Sequence, residues 1–299
     1  ALPNFRRPSV AAQIDPNRSF WRDFVTYPFP MKYAEGRDGR GRTWQIGYMD
    51  EYAGTLPNPP VLVIVHGKGA FGAHYGNVMT HALRRGMRVI VPDLPSYGMS
   101  GPGNLDLDES RSMQDMRDAI HDVIVNRLGV ARAHYMGHSL GGQFVMGYGL
   151  SWPDAVQSLI LYAPAGLEEF PREIDIGGGR KIALFDPALA NQGRRWREVW
   201  QPAGLLDAEL NRTEQSVRDF FFFKSLDAAG NAIPSASGYF FRDSEYARLH
   251  TEQRVGMIRG NRRELEQWAV AFIWDIHSIA SELLKDDPNN LYRRLTELR

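Results

Sequence analysis

The chain has 299 residues, of which 43% are hydrophobic, enough for one large core or for a core with an inserted subdomain. Its 35 basic residues balance 35 acidic residues, so no net charge favours a nucleic acid, an anionic membrane or an acidic substrate as partner. The absence of cysteine excludes disulfides, zinc-thiolate sites and a cysteine nucleophile. No apolar run approaches the length of a membrane span, and no motif requires a metal or an organic cofactor. We therefore expect no membrane span, no metal and no cofactor.

The N-terminal part of the chain is predicted to be extended before it enters the core. Residues 1–19 are rich in Pro, Arg and Asn and are expected to form an arm. Residues 20–30 are dense in aromatic side chains but interrupted by two prolines, which favours an edge strand or a segment covering the core. Residues 42–49 alternate apolar and polar side chains, which predicts a strand with one buried face.

The central part of the chain alternates buried strands with amphipathic helices. Continuous β-branched and aliphatic runs are typical of parallel strands that are buried on both faces. Apolar residues at helical spacing separate these runs, and a glycine stops the longest helical stretch. The alternation predicts a doubly wound, mostly parallel α/β sheet with right-handed crossovers. The predicted strands are 61–65, 88–91 and 158–162, and the predicted helices are 75–85 and 110–128.

A Gly-x-Ser-x-Gly motif lies between a strand-like run and a helical stretch, within residues 133–142. A serine hydroxyl is a weak nucleophile, and a sharp strand-to-helix turn exposes its Oγ while aiming backbone N–H groups at a developing oxyanion. Gly137 and Gly141 flank the serine because a Cβ at either position would collide in so tight a turn. The pentapeptide alone is common, but its context on both sides predicts Ser139 as a catalytic nucleophile.

Four short segments follow successive strands in the same order as the landmarks of a known superfamily. They are His66-Gly67-Lys68-Gly69, Asp93-Leu94-Pro95-Ser96-Tyr97-Gly98-Met99-Ser100, the serine motif, and Ala163-Pro164-Ala165-Gly166-Leu167. Together they resemble the α/β-hydrolases, and in particular the capped, esterase-like bacterial serine hydrolases, over about residues 40–167. The resemblance implies an enzyme that cleaves a carboxylic ester through an acyl-enzyme on Ser139.

The resemblance also implies the composition of the oxyanion hole. One N–H comes from the segment after the first buried strand and the other from the residue after the nucleophile, which places them on Lys68 and Leu140. Only the backbone of Lys68 is implied. Its side chain is a weaker candidate for a role at the mouth of the pocket.

Two histidines near the serine are interpreted as structural rather than as the catalytic base. His66 shapes the oxyanion loop in the resembling proteins, where the base comes much later in the chain. His138 is the immediate neighbour of the serine and therefore projects in a different direction from the turn. The predicted pocket and elbow residues are His66, Gly67, Gly69, His138 and Gly141.

The strand–helix alternation does not continue after residue 167, where the resemblance places an inserted helical cap. Residues 264–284 are the clearest helix there. Four consecutive phenylalanines at 220–223 cannot all face one side of a helix, so they either pack the cap on the core or line a pocket for a small apolar or aromatic substrate. The predicted division is a core with an N-terminal arm at 1–167, a cap at 168–290 and a return toward the core at 291–299.

The acid-bearing strand and the histidine loop that follow the cap in this family have no counterpart in the sequence. The favoured explanation is that a further segment or partner completes the sheet, since a sheet cut beside a central strand exposes a long apolar edge. The chain alone would then self-associate and lack esterase activity. The alternatives are a truncated, non-catalytic ligand-binding protein, or an enzyme in which Glu168 or Asp175 acts with one of the eight histidines.

Neither the motif nor the fold decides among the serine-type reactions of this scaffold. Ester hydrolysis is the leading hypothesis, and lactone hydrolysis, carbon–carbon bond hydrolysis beside a ketone and perhydrolysis remain open. The chain begins at Ala1 as a processed mature protein would, although a shortened chain would look the same. A periplasmic or secreted location is therefore an expectation.

Overall fold

In the computed structural model, the described residues are 25–68, 70–100, 112–175, 178–179, 181–183 and 278–298. Their main sheet has six strands, which are β1 (Met31–Arg37), β2 (Thr43–Glu51), β3 (Val61–Val65), β4 (Arg88–Pro92), β5 (Ala133–His138) and β6 (Val156–Tyr162). The spatial order is β1-β2-β4-β3-β5-β6. The first two pairings are antiparallel and the other three are parallel. The predicted α/β sheet, mostly parallel, is confirmed.

Helices cover both faces of this sheet. They are α1 (Gly76–Arg84), α2 (Met113–His121) and α3 (Leu140–Ser151). Buried side chains of α2 and α3 join one core cluster, and those of α1 join a second cluster on the opposite face. The predicted alternation in β2 is confirmed, because Trp44, Ile46 and Tyr48 all lie in the first cluster while Met49 lies in the second.

The helix predicted over 110–128 is present from Ser112 onward but changes its geometry. Ser112 and Asp115 form a reciprocal capping box, in which each side chain accepts a hydrogen bond from the other residue's N–H. A π-helical turn, Asp122–Arg127, follows α2. Gly129 then ends the helical stretch with φ 67°, a left-handed conformation that glycine adopts without strain.

The first strand was missed by the sequence analysis. Residues 25–30 are not in a strand, and Tyr27 and Phe29 pack on the second core cluster, so the described part of 20–30 matches the predicted segment covering the core rather than the edge strand. The strand begins only at Met31. β1 pairs with β2 at the sheet edge and is mostly exposed. Because its sequence carries charged side chains and no continuous apolar run, hydrophobic patterning did not indicate a strand there.

β6 lies at the opposite end of the sheet. Residues 158–162 form a parallel strand as predicted, and among the described residues β6 pairs with β5 alone. Ile160, Leu161 and Tyr162 are 46%, 41% and 54% exposed, so both faces of this strand meet solvent. The described part of the sheet therefore ends in an apolar, uncharged edge, a kind of surface that natural proteins usually protect.

The segment around residues 278–298 packs on the outer side of α3. It contains a short helix, α4 (Leu291–Arg294), and Leu283 and Leu291 are buried against Met146 of α3. Arg117 of α2 donates hydrogen bonds to both carboxylate oxygens of Glu282, at 2.5 and 2.8 Å. Gln143 of α3 donates to the same carboxylate at 3.1 Å, so a partly buried charged network holds this segment to α2 and α3.

Little of the predicted cap falls within the described residues. β7 (Glu173–Asp175) and β8 (Lys181–Ala183) form a small antiparallel hairpin that the sequence analysis did not predict, with Gly178 and Gly179 in the turn at φ 64° and 73°. The phenylalanines at 220–223 and most of the helix predicted over 264–284 lie outside the described residues. The domain division remains a prediction. No helix in the described ranges combines the length and the apolar character needed to span a bilayer.

Candidate active site

Ser139 is the single residue between the end of β5 and the start of α3, and its backbone is left-handed at φ 53° and ψ −119°. Such a conformation is strained for a residue with a side chain and persists only where its surroundings hold it. The Ser139 carbonyl accepts hydrogen bonds from the N–H groups of Gly142 and Ala165, both at 2.8 Å. Its own N–H donates to the carbonyls of Tyr162 and Ala163 at 3.2 Å. The turn thus holds a half-buried serine in the conformation expected of a nucleophile.

The glycines of the motif permit this turn, as the sequence analysis expected. A Cβ at Gly137 would overlap the carbonyl oxygen of Gly141, and a Cβ at Gly141 would overlap that of Val65. Since both obstacles are backbone atoms, no side-chain rearrangement could relieve the overlap. The start of α3 is therefore packed directly on β3 and β5.

The loop after β3 lies against the same turn. A Cβ at Gly67 would stand 3.0 Å from the Cβ of Ser139 and 3.2 Å from the carbonyl oxygen of His138. Lys68 follows Gly67 and is half-buried, while Leu140 is buried at the first position of α3. The structure thus brings together the two segments predicted to supply the oxyanion N–H groups. Gly69, the fourth residue of the loop motif, lies outside the described residues.

His66 is fully buried, and both of its ring nitrogens are engaged. Nε2 accepts a hydrogen bond from the N–H of Leu94 at 2.9 Å, which assigns the ring proton to Nδ1, 2.8 Å from the carbonyl of Gly67. The ring also contacts Tyr97 edge-on, with centroids 5.1 Å apart. His66 therefore ties the loop after β3 to the loop after β4, an arrangement that supports a structural role.

Asp93 is a fully buried carboxyl group directly after β4, and it begins the second of the four landmark segments. Its carboxylate accepts hydrogen bonds from Tyr27 Oη at 2.5 Å, from the N–H of Gly72 at 2.5 Å and from the N–H of Met99 at 2.6 Å. Burial raises the pKa of Asp93 to about 6, although each of these donors favours the charged form. The carboxylate thus fixes Gly72, just beyond the loop after β3, to the loop after β4.

His138 lies beside the serine in the chain, and the hydrogen bond of its Nδ1 is made with Tyr75 rather than with the serine hydroxyl. Its Nδ1 is 2.9 Å from Tyr75 Oη, and its ring centroid is 4.9 Å from that of Tyr162. Burial lowers the pKa of His138, so the imidazole is held toward its neutral form. Sequence reasoning did not find Tyr75, because its partner is 63 residues further along the chain.

The described residues do not bring a histidine–acid pair to Ser139. Each described histidine has a ring nitrogen bonded to another group, and in none of these bonds is the partner Ser139. Glu168 accepts hydrogen bonds from the N–H groups of Gly166 and Leu167, both at 2.9 Å, so it caps its own loop. The described histidines are His66, His74, His81, His121, His134 and His138; His250 and His277 lie outside.

Asp175, the other acid considered in the sequence analysis, is the last residue of β7, and its side chain is not among the described parts. Within the described ranges, no group of three or more His, Asp or Glu side chains could hold a metal ion.

Comparison with known proteins connects this geometry to a family. A family profile described as "alpha/beta hydrolase fold" matches residues 60–206. A curated relative, the 2-hydroxy-6-oxononadienedioate/2-hydroxy-6-oxononatrienedioate hydrolase of Escherichia coli O81 (strain ED1a), is 26% identical over 188 residues. That alignment covers 62% of this chain and 57% of the relative, so the chain spans well under two thirds of the relative's length.

Solved structures show the same fold at lower identity. A "probable hydrolytic enzyme" from Pseudomonas aeruginosa PAO1 has a TM-score of 0.63 and 22% identity, over 95% of this chain and 75% of that one. The enol-lactonase from Burkholderia xenovorans LB400 has a TM-score of 0.53 and 16% identity, over 85% of this chain and 73% of that one. These likenesses concern the fold alone.

Proposed function

Because the chain belongs to the α/β-hydrolases, we propose that it is a serine hydrolase that cleaves a carboxylic ester or a similar acyl substrate through an acyl-enzyme on Ser139. The observation that carries this proposal is the left-handed Ser139 between β5 and α3, with the loop after β3 packed against its Cβ. A strained serine at a strand–helix junction places its hydroxyl where a substrate carbonyl can reach it.

The first chemical step is attack of Ser139 Oγ on the substrate carbonyl carbon. The carbonyl oxygen becomes an oxyanion, and the backbone N–H groups of Lys68 and Leu140 stabilise it in the proposed arrangement. Leu140 is the first residue of α3, where a helix N–H has no intrahelical acceptor and where the helix dipole favours negative charge. This end of α3 is therefore suited to an anion that forms only during the reaction.

The remaining steps release the two halves of the substrate. A base takes the proton of Ser139, the proton passes to the leaving alcohol as the tetrahedral intermediate collapses, and water then hydrolyses the acyl-enzyme. We assign the base and its acid to groups outside the described residues. Exposed apolar surface at Tyr162, whose carbonyl accepts a hydrogen bond from the N–H of Ser139, supports a small apolar or aromatic acyl group as substrate.

Carbon–carbon bond hydrolysis is the second candidate. The curated relatives bear the name of a hydrolase of that kind, and the sequence alignment with them extends over 188 residues. This reaction can use the same serine and the same oxyanion site, so the site geometry does not distinguish it from ester hydrolysis.

The test is reaction of the intact protein with a fluorophosphonate probe. We expect one label per chain at Ser139, lost completely in Ser139→Ala. Ser158→Ala is the matched control, because Ser158 is exposed and lies 2.8 Å from His134 Nδ1, so it is a serine–histidine pair away from the turn. Labelling that survives in Ser139→Ala would place the reactive group elsewhere and refute the proposal. Absence of labelling from folded protein would also refute it and would favour the non-catalytic ligand-binding protein. The turnover rates of a nitrophenyl ester and of a vinylogous diketone are then compared. Faster turnover of the ester favours ester hydrolysis, and faster turnover of the diketone favours carbon–carbon bond hydrolysis.

A further inference from the structure

The proposed oxyanion hole is built from two chain segments that are distant in sequence. One is the loop after β3, which carries Lys68, and the other is the junction of β5 and α3, which carries Leu140. Donors to an oxyanion act only when both are about 2.7–3.1 Å from the position that the charged oxygen will occupy. A contact that fixes one segment relative to the other therefore controls catalysis without touching the substrate.

Tyr75 and His138 make such a contact. Tyr75 ends the 3₁₀ turn Gly72–Tyr75, which follows the loop after β3, and His138 is the residue immediately before Ser139. Tyr75 Oη and His138 Nδ1 are 2.9 Å apart. A Cβ at Gly67 would be only 3.3 Å from the same Nδ1, so the imidazole lies between the loop and the turn.

Both partners of this hydrogen bond make further contacts that fix their positions. The 3₁₀ turn is anchored at its start, where the N–H of Gly72 donates to Asp93, and Tyr75 is only 6% exposed. The imidazole contacts Tyr162 of β6 on the other side. The rings of Tyr75 and His138 are 6.4 Å apart at their centroids, a loose edge contact, so the hydroxyl–imidazole bond is the closer link between them.

We propose that the Tyr75–His138 hydrogen bond is a positioning device that sets the spacing of the two oxyanion amides. This inference rests on the proposed serine-hydrolase function. The pair exchanges no proton with substrate; it acts by keeping the loop after β3 and the serine turn in one geometry. Its loss lets the two N–H groups separate, which weakens binding of the oxyanion more than binding of the uncharged substrate.

The experiment compares fluorophosphonate labelling of Ser139 in three variants. Tyr75→Phe removes the hydroxyl and keeps the ring, and we expect the maximal labelling rate to fall about tenfold with little change in the half-saturating probe concentration. His138→Leu should cause a similar loss. His138→Asn keeps an amide group close to the former Nδ1 and should recover most of the rate. The double variant should be no slower than either single variant, because both break one bond.

The matched control is Tyr148→Phe. It also removes a tyrosine hydroxyl bonded to a histidine, since Tyr148 Oη lies 2.8 Å from His121 Nδ1 in the core. We expect it to lower the melting temperature but to leave the labelling rate near that of the unmodified protein. A Tyr75→Phe variant that labels at the unmodified rate, or losses that multiply in the double variant, would overturn the inference.

A second measurement decides the inference even where no label forms. Hydrogen exchange of backbone amides should accelerate in Tyr75→Phe within both residues 66–75 and residues 138–145, and in neither range for Tyr148→Phe. Faster exchange in one range alone contradicts a link between the segments. Coupled exchange without any Ser139 labelling would refute the proposed function and leave the positioning link standing.

Discussion

β3 and β6 flank β5 on its two sides, run parallel to it and have similarly apolar sequences, yet their environments are opposite. Val63, Ile64 and Val65 of β3 are fully buried, whereas Ile160 and Tyr162 of β6 are about half exposed. β3 has a strand on each side, while among the described residues β6 has one neighbour. An apolar run therefore predicts that a strand joins the sheet, but its burial depends on what lies beside it.

The same contrast divides the surroundings of Ser139. On the β3 side, His66 and Asp93 tie consecutive loops together through buried hydrogen bonds. On the β6 side, the chain leaves the strand through a loop in which Glu168 accepts hydrogen bonds from the N–H groups of Gly166 and Leu167. Leu167 is exposed. The serine thus lies between loops that are tied together by buried hydrogen bonds, on the β3 side, and an exposed loop, on the β6 side.

The largest expected difference between the two strands is energetic. Ile64→Ala opens a cavity in a packed core and should lower the free energy of unfolding by about 2–5 kcal/mol. Ile160→Ala, on the exposed strand, should change it by less than about 1 kcal/mol. Urea denaturation of both variants measures the difference. Equal losses would show that β6 is covered in solution by something that buries Ile160.

On the β3 side, the free energy of unfolding should also depend on pH through Asp93. Its folded pKa of about 6 exceeds the ordinary value of 3.8, so the folded protein binds the proton more tightly than the unfolded chain. The associated stability is fully present below about pH 4 and is lost as the pH rises through 6, by about 3 kcal/mol in all.

Asp93→Asn removes this titration, at the constant cost of one backbone N–H acceptor. The unfolding free energy of the unmodified protein minus that of the variant should fall between pH 4 and pH 7. Urea denaturation at four pH values in that range follows the difference. A difference that stays constant would mean that the carboxylate is charged in the folded state throughout.

The smallest of the three effects is on the acylation rate and concerns the backbone N–H of Lys68, in the loop after β3. Lys68→Pro deletes the N–H and should slow acylation about a hundredfold, which is about 2.7 kcal/mol. Lys68→Ala keeps the N–H and should cost little. Single-turnover kinetics with a nitrophenyl ester measure both. If the alanine variant were as slow as the proline variant, the side chain rather than the N–H would be the functional group.

The sequence was sufficient to predict the core strands and the serine turn, since both are encoded locally. Trp44 and Ile46 alternate as a half-buried strand requires, and Gly137 and Gly141 flank Ser139 where a Cβ would collide with backbone. β1 was not predicted because it is a mostly exposed edge strand whose sequence has no continuous apolar run.

The supporting contacts of the site could not be predicted in the same way. The hydrogen bond of Tyr75 reaches 63 residues along the chain, and that of Tyr27 to Asp93 reaches 66. No local pattern pairs such residues, because their proximity follows from the order of strands in the sheet. The one available signal was an aspartate directly after an aliphatic strand, and neither its burial nor its donors could be predicted from that position.

The packing of Glu282 and Leu283 against α2 and α3 has a consequence for how the protein is made. α3 ends at Ser151, so its outer face receives this cover only after a further 131 residues have been synthesised. At translation rates of about 5–20 residues per second, that interval is about 7–26 s. Until then Arg117 lacks its carboxylate partner and Met146 lacks its apolar cover. The outer face of the helix that presents Ser139 is thus among the last parts of the described core to be covered, and transiently exposed apolar surface of this kind promotes aggregation.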